Sequence, residues 1–429
     1  MRQIQTVPYI PGRARGMLRY RLEDCTPGCI LVLNQEALVS NNLERVKSAA
    51  GLVVAGAARF SHALARLFTL GTPAVLIRPD QLALLPEGMA ALIDGNTGLI
   101  TLNPPLTEIW QEQIPPAVIN GMVRSMDGIP VELRAGVPSA NAALQAVRQG
   151  ASRIGLLRSE FLEPLGGRIP DQQFYLAALR EVFEAARPLG VTVRLLDIAP
   201  DKCPAWLHNG PATPLGLQGC RLYDREPVKS VFRAQVAAIS ELAAEYELAL
   251  LLPYVTHPWE FAHWRGEIDA ITGGRLPVGV MLETPASALC VSEWRALADF
   301  AAIGSNDLMQ TLCAADRRLP EMADWLDPCS PALLRFLRQL ADDLDAYTLP
   351  TQFCGQMPLY PGMLPVLLGL GFRIFSVEPL AIPHLAQIIA NTDISTLHEL
   401  SIQACKSPDA RAVQRLLGLT QRDSLDGME

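Results

Sequence analysis

Eight short apolar segments recur between residues 131 and 377, and longer stretches with helical periodicity separate them. The segments span residues 131–135, 153–158, 191–197, 249–255, 277–283, 299–306, 352–354 and 372–377. Continuous apolar strands that alternate with helices are typical of a parallel sheet covered on both faces. Eight such repeats predict a (β/α)8 barrel of the TIM type, although periodicity alone does not show that the sheet closes.

Polar side chains stand at or just beyond the carboxyl ends of these segments. They are Arg158, Arg194, Asp197, Glu283, Asn306, Asp307 and Cys354. Because a barrel gathers the carboxyl ends of its strands at one face, we expect these side chains to share one catalytic mouth.

Length and charge limit the classes of protein to which the chain can belong. At 429 residues it exceeds one average domain, so we expect two units, and a hydrophobic content of 49% suffices for their cores. A net charge of −8 argues against a nucleic-acid partner, since phosphate backbones demand clustered Lys and Arg.

The cysteines and the apolar runs predict a cytoplasmic protein. Nine cysteines are scattered without a metal-like or redox spacing, and the first residues, MRQIQTVPYIPG, lack a charged-then-apolar leader. Apolar runs of 18 or more residues are absent from the sequence, so we expect no membrane span. A free cysteine is most often a small buried hydrophobe, and that is our expectation for all except Cys354.

We divide the chain into four parts. They are a small α/β domain (1–105) with strands near 30–33, 51–56, 73–77 and 98–103, a linker (106–128), a barrel (129–392) and C-terminal helices packed on the barrel (393–429). The prolines at 115 and 116 exclude an uninterrupted helix in the linker. Two amphipathic helices are predicted over 393–418, the first capped by Asp393 or Ser395 and the second by Ser407.

Written in order, five motifs resemble those of the phosphoenolpyruvate-utilising enzymes. They are GLLRSEFL (155–162), VRLLDIAPDK (193–202), GVMLETPASAL (279–289), AAIGSNDLMQTLCAADR (301–317) and FCGQMP (353–358). Within that family the similarity is greatest to Enzyme I of the sugar phosphotransferase system. The segment RFSHALARLFTLGTPAVLI (59–77) is similar to the swivelling phosphohistidine segment, with His62 in the phosphoacceptor position.

The resemblance implies a small swivelling phosphohistidine domain, a barrel and a role for each matching residue. Arg158, Arg194 and Arg317 would clamp the substrate with Lys202 and Asn306, Glu283 and Asp307 would hold Mg²⁺, Cys354 would be the general acid, and His62 would accept the phosphoryl group. Guanidinium forks suit phosphate and carboxylate, and hard carboxylate oxygens suit Mg²⁺.

Simpler roles remain open for the same residues taken singly. Each arginine fits a surface salt bridge, Asp307 fits a helix N-cap, and His62 fits a solvated histidine at a helix start. Lys202 and the acids near it, Asp197, Asp201 and Glu160, fit either a charged layer that orients the arginines or ordinary ion pairs.

The sequence also departs from the family pattern. The glycines and hydroxyl before the phosphohistidine are replaced at residues 57–60, a paired arginine is replaced by Gln218 beside Arg221, and Cys-Gly-Glu becomes Cys354-Gly355-Gln356. A helical module for docking a phosphocarrier and a nucleotide-binding domain are both absent from the sequence, so the phosphoryl acceptor is expected to be a separate molecule.

Three functions fit these features. The first is Mg²⁺-dependent transfer of the phosphoryl group of phosphoenolpyruvate to His62 and on to an acceptor, with release of pyruvate. The second is a phosphoenolpyruvate or pyruvate sensor without turnover, which the altered positions favour. The third, a lyase acting through an enolate, has no need of His62. The resemblance further implies a homodimer formed through the barrel.

Overall fold

The computed structural model describes residues 2–34, 46–56, 64, 67, 70–105, 121–208, 210–213 and 215–419. His62 and most of the predicted linker lie outside these residues. Among the helices in the described ranges, none combines the length and the apolar character needed to cross a bilayer.

The first part of the chain builds an eight-stranded mixed sheet. Its strands are β1 (Arg2–Gln5), β2 (Val7–Ile10), β3 (Arg13–Arg19), β4 (Ile30–Asn34), β5 (Gly51–Ala55), β6 (Ala74–Ile77), β7 (Ala90–Asp94) and β8 (Leu99–Leu102). They lie in the order β1-β8-β7-β3-β4-β5-β6-β2, with β3 to β6 parallel and the flanking pairs antiparallel.

This sheet is buried on both faces. Leu31 and Leu33 of β4 pack into one apolar cluster, whereas Ile30 and Val32 pack into another, as the alternation of side chains along a strand requires. Four of the strands correspond to segments that the sequence predicts. The sequence analysis missed β1, β2, β3 and β7, and β1 and β3 are rich in arginine and glutamine.

The second part forms the predicted barrel. A short strand β9 (Met122–Arg124) runs antiparallel to the first barrel strand. The barrel strands are β10 (Pro130–Val137), β11 (Ile154–Arg158), β12 (Val191–Arg194), β13 (Leu248–Leu252), β14 (Val278–Leu282), β15 (Ala301–Gly304), β16 (Thr351–Cys354) and β17 (Ile374–Val377). All eight are parallel and β10 pairs with both β11 and β17, so the sheet closes. The (β/α)8 prediction is confirmed.

Helices cover the outside of the barrel. They are α1 (Ala140–Arg148), α2 (Gln172–Ala186), α3 (Val228–Leu242), α4 (Pro258–Thr272), α5 (Pro285–Ala288), α6 (Val291–Leu297), α7 (Ser305–Leu312), α8 (Pro331–Ala346), α9 (Met363–Gly369), α10 (Ile382–Ala390), α11 (Leu397–Lys406) and α12 (Ala410–Leu416). Several predicted strands were too long, since Asp197, Glu283 and Asn306 follow the ends of β12, β14 and β15.

Strand alternation decides which residues face the barrel interior. Val191 and Val193 of β12 pack outward against the helices, so Arg194 points inward at the carboxyl end of the strand. Inward side chains from five other strands, Leu156, Leu251, Met281, Ala302 and Cys354, form a small apolar cluster. The polar end residues therefore rest on a packed apolar floor.

The predicted caps of the C-terminal helices need correction. Asp393 accepts from the backbone N–H of Ser395 and so caps a short 3₁₀ turn, Ile394–Thr396, that precedes α11. Helix α12 is capped by Asp409, which accepts from Ala412 N at 2.8 Å, and the prediction of Ser407 was wrong. Asp409 stands next to the first helical residue, where its carboxylate reaches an otherwise unbonded N–H.

Candidate active site

A cleft opens at the carboxyl ends of the barrel strands, and we refer to it as the mouth cleft. It is lined by Leu156, Arg158, Arg194, Lys202, Met281, Gly304, Ser305, Asn306, Asp307, Arg317, Cys354, Gly355 and Gln356. Seven of the nine residues predicted to form the site thus share one cavity. Glu283, the eighth, is buried next to Gly304 of its lining, and His62 lies outside the described residues.

Arg194 is held between two acids in the barrel interior. Its side chain is only 5% exposed and pairs with Glu160 and, at 2.9 Å, with Asp197. Its Nε is buried without a hydrogen-bond partner. A buried donor left unsatisfied costs free energy, so this N–H is suited to an anionic ligand that enters the cleft.

Lys202 and Arg317 complete a connected set of charges. Lys202 pairs with Asp197. Burial raises the pKa of Asp197, but the charges of Arg194 and Lys202 outweigh burial and hold that pKa below its ordinary value. Arg317 contacts Asp307 at 2.9 Å and Asp201 at 3.2 Å. Like Arg194, Arg317 keeps a buried Nε without a hydrogen-bond partner.

Arg158 has a partner that the sequence analysis did not identify. Its Nη2 lies 2.8 Å from Oε1 of Glu378, which follows the eighth barrel strand, β17. Burial raises the pKa of Glu378, although the charge of Arg158 opposes the shift. The signal in the sequence was the position of Glu378 directly after the eighth predicted strand, residues 372–377.

Glu283 is a buried carboxylate with one free oxygen. Oε1 accepts from the backbone N–H of Tyr254 at 2.5 Å, whereas Oε2 is buried without a hydrogen-bond partner. Burial first, and then the charges of Asp307 and Asp197, raise the pKa of Glu283 to about 8. A cation bound at Oε2 would relieve both the missing partner and the repulsion.

Asp307 is not the helix N-cap. Gly304 occupies that position of α7, and the Asp307 carboxylate lies in the first turn, directed at Arg317. Among the described residues, no three His, Cys, Asp or Glu side chains converge to enclose a metal ion. Glu283 and Asp307 would therefore supply a partial set of ligands, which is the usual arrangement for Mg²⁺ with substrate and water oxygens.

The charges around the mouth cleft do not cancel. The described cations are Arg158, Arg194, Lys202 and Arg317, and the acids joined to them or to Glu283 are Glu160, Asp197, Asp201, Glu283, Asp307 and Glu378. The acids outnumber the cations by six to four, and with Glu283 ionised the surplus of two negative charges equals the charge of one divalent metal ion. The residues present thus fit a bound Mg²⁺.

Cys354 ends strand β16 at the floor of the mouth cleft. Burial raises the pKa of its thiol to about 12, although Ser376 and the arginines at 134, 158 and 194 lower it. The side chain is almost fully buried and is the only described thiol that lines the cleft. A thiol that stays protonated at neutral pH can donate a proton to a reacting carbon.

Gln356, which departs from the family pattern, and Arg221, which stands beside the replaced Gln218, take different roles. The backbone N–H of Gln356 donates to Asn306 Oδ1 at 3.3 Å, which leaves the amide N–H groups of Asn306 for a ligand. The Gln356 side chain donates from Nε2 to the Tyr9 hydroxyl at 3.3 Å. Arg221 donates to Thr256 Oγ1 at 2.5 Å and stacks on the Tyr254 ring, so it does not line the mouth cleft.

Comparison with known proteins agrees with this architecture. The sequence profile described as "PEP-utilising enzyme, PEP-binding domain" matches residues 117–394. The chain is 32% identical over 391 residues to the multiphosphoryl transfer protein of Xanthomonas campestris, covering 85% of this chain and 46% of that protein. It is 28% identical to the phosphoenolpyruvate-protein phosphotransferase of Haloferax volcanii, covering 87% of this chain and 68% of that protein. It is also 28% identical to the phosphoenolpyruvate-protein phosphotransferase of Staphylococcus carnosus, covering 92% of this chain and 70% of that protein.

The extent of the match differs between these relatives. The chain spans about half the length of the multiphosphoryl transfer proteins it matches. The family profile covers more than half of the chain and includes every barrel strand. The chain therefore belongs to the PEP-utilising enzyme family, and the barrel is its PEP-binding domain.

Proposed function

We propose that the protein transfers the phosphoryl group of phosphoenolpyruvate to His62 and on to a separate acceptor, with release of pyruvate. The observation that carries the proposal is the composition of the mouth cleft. One cavity combines four cations, an acid with an unpartnered buried oxygen nearby, and a protonated thiol. Phosphoenolpyruvate needs each of these, because it carries a phosphate and a carboxylate and leaves an enolate behind.

The arginines would bind and orient the substrate. The unpartnered Nε groups of Arg194 and Arg317 are donors fixed in a dry environment, where hydrogen bonds to an anion are strong. The Asn306 amide, oriented by the Gln356 backbone, would donate to the phosphoryl oxygens. Lys202, held by Asp197, would add positive charge at the rim.

Glu283 and Asp307 would hold Mg²⁺, which supplies charge neutralisation on the phosphoryl oxygens when bound. Cys354 would donate its proton to the methylene carbon of the enolate, and that transfer yields the methyl group of pyruvate. An imidazole near neutrality is a competent nucleophile for phosphorus, which suits His62 as the acceptor.

Labelling tests this proposal directly. Incubation with ³²P-phosphoenolpyruvate and Mg²⁺ is expected to give acid-labile, alkali-stable label on the wild type and none on His62→Ala. The matched control is His398→Ala, which changes a histidine on α11 and should leave the label unchanged.

Undiminished label on His62→Ala would contradict the proposal. Binding of phosphoenolpyruvate by calorimetry with no label on the wild type would favour the sensor without turnover, and absence of binding would exclude both functions.

Replacement of Glu283 by glutamine is expected to raise the free energy of unfolding at neutral pH without Mg²⁺ by about 1–3 kcal/mol, because a carboxyl whose pKa rises to about 8 must take up a proton on folding and glutamine need not. It should also abolish the stabilisation that Mg²⁺ gives the wild type. Urea unfolding with and without MgCl₂ measures both effects.

The contrasting control is Glu378→Gln. It breaks the pair with Arg158 and should lower stability while leaving the Mg²⁺ effect in place. Equal protection of Glu283→Gln and wild type by Mg²⁺ would exclude Glu283 as a ligand.

A homodimer through the barrel is supported by large apolar side chains left exposed in the segments that follow three consecutive barrel strands. Leu215, Trp259 and Leu289 are 71%, 69% and 65% exposed and follow β12, β13 and β14, respectively. Adjacent strands place these connections side by side at one edge of the barrel. Sedimentation should show a dimer that Trp259→Asp dissociates and that Trp325→Asp, at an exposed tryptophan between α7 and α8, does not. None of the nine cysteines, all of which lie in the described ranges, forms a disulfide, and this suits a cytoplasmic location.

A further inference from the structure

Two cysteines in the connection between β3 and β4 lie in direct contact, and neither lines the mouth cleft. The sulfur atoms of Cys25 and Cys29 are 3.2 Å apart, and Cys25 is half-buried whereas Cys29 is buried. The expectation that the cysteines other than Cys354 are small buried hydrophobes was therefore wrong for Cys25, and it was also wrong for the exposed Cys203. The separation exceeds a disulfide bond of about 2.05 Å by roughly 1.2 Å, so a small side-chain movement would join them.

A tight turn brings the two thiols together. Cys29 N donates to Thr26 O at 3.0 Å, and the two residues between them are Pro27 and Gly28. Gly28 has φ +90°. Proline followed by a glycine with positive φ is the sequence of a type II turn, so the local chain itself selects this geometry.

Neighbouring strands hold the turn in place. The carbonyl oxygen of Gly28 lies so close to Gly16 of β3 that a Cβ on Gly16 would collide with it. The carbonyl oxygen of Cys29 accepts from Ala50 N at 2.8 Å, just before β5. The backbone that carries Cys29 is therefore held against β3 and the start of β5.

We propose that Cys25 and Cys29 form a reversible intramolecular disulfide by exchange with a small-molecule disulfide such as oxidised glutathione. The thiolate of Cys25, the more accessible sulfur, attacks one sulfur of glutathione disulfide and releases one glutathione thiolate. The thiolate of Cys29 then attacks Cys25 Sγ and releases the second. The two cysteines lose two electrons and two protons, and the glutathione disulfide is reduced to two thiols.

The accessibility of the two thiols fixes this order. Burial, together with the adjacent Cys25 thiol, raises the pKa of Cys29 to about 11, so Cys29 is a poor first nucleophile. Contact with Cys25 compensates in the second step, because a nucleophile already beside its target reacts at high effective concentration.

Cys203 offers an internal comparison in the same molecule. It is exposed, and among the described residues its sulfur donates to the carbonyl oxygens of Pro204 and Leu207. It can form a mixed disulfide with glutathione but has no resolving thiol. The two sites therefore give different products under the same conditions.

The full-length protein is equilibrated with mixtures of oxidised and reduced glutathione, quenched with acid, alkylated, digested and analysed by mass spectrometry. After oxidation, the peptide that contains residues 25 and 29 is expected to carry neither alkyl groups nor glutathione. The concentration of oxidised glutathione that oxidises half of the Cys25–Cys29 pair should be at least about tenfold lower than the concentration that modifies half of Cys203.

Cys29→Ser is expected to trap glutathione on Cys25, because the resolving thiol is gone. Retention of both alkyl groups at a glutathione ratio that fully modifies Cys203 would overturn the proposal, as would a stable glutathione adduct on the wild-type pair. The readout involves neither phosphoenolpyruvate nor turnover, so its outcome is independent of the proposed function.

Discussion

Arg194→Met is expected to lower the free energy of unfolding by about 3–5 kcal/mol, because it leaves two buried acids, Glu160 and Asp197, without their shared cation. Methionine keeps most of the apolar volume of the side chain, so the loss reports charge rather than packing. Urea unfolding at neutral pH measures it, and binding of phosphoenolpyruvate should be lost as well.

Arg180→Met is the matched control for this prediction. Arg180 forms a bidentate pair with Glu245 on the protein surface, where both side chains are about half exposed. Water solvates the carboxylate that remains, so no measurable loss of stability is expected. Equal free energies of unfolding for the two variants would contradict the prediction that Glu160 and Asp197 destabilise the fold when Arg194 is absent.

Cys354→Ala is expected to slow the formation of pyruvate from phosphoenolpyruvate by about 10²–10⁴-fold, which is the usual contribution of a general acid. Rapid-quench measurement of pyruvate, beside ³²P label on the protein, separates proton donation from phosphoryl transfer. The label should form in the variant while pyruvate lags behind.

The pH dependence provides a second check on Cys354. Burial raises the pKa of the thiol to about 12, so the acid form persists across the neutral and alkaline range and this group should impose no fall in rate there. Cys290→Ala, at a half-buried thiol that does not line the mouth cleft, is the control. Normal pyruvate release from Cys354→Ala would exclude the thiol as the acid.

The sequence predicted the barrel because its evidence is local. Each strand is a short apolar run and each end residue follows it directly, so both the number of strands and the grouping of Arg158, Arg194 and Cys354 could be predicted. Long-range partners could not be predicted. Glu378 is 220 residues from Arg158, and only closure of the barrel between β10 and its two neighbours places them together.

Competition between similar residues explains the smaller errors. Ser407 and Asp409 both suit a helix N-cap, and only the backbone geometry shows that the Asp409 carboxylate reaches Ala412 N. In the same way, Arg221 matched a cationic position in sequence but bonds to Thr256 and stacks on Tyr254. Strand β3 was missed because its arginines mask the apolar alternation.

The surplus of two acids around the mouth cleft has a consequence for the order in which ligands arrive. Phosphoenolpyruvate that entered alone would meet a region of net negative charge, and that charge would oppose its binding to the arginines of the walls. A divalent ion that bound first at Glu283 and Asp307 would remove the surplus. The fraction of mouth clefts that contain phosphoenolpyruvate would then depend on the free Mg²⁺ concentration of the cell. Anions that cannot coordinate the bound ion would bind weakly.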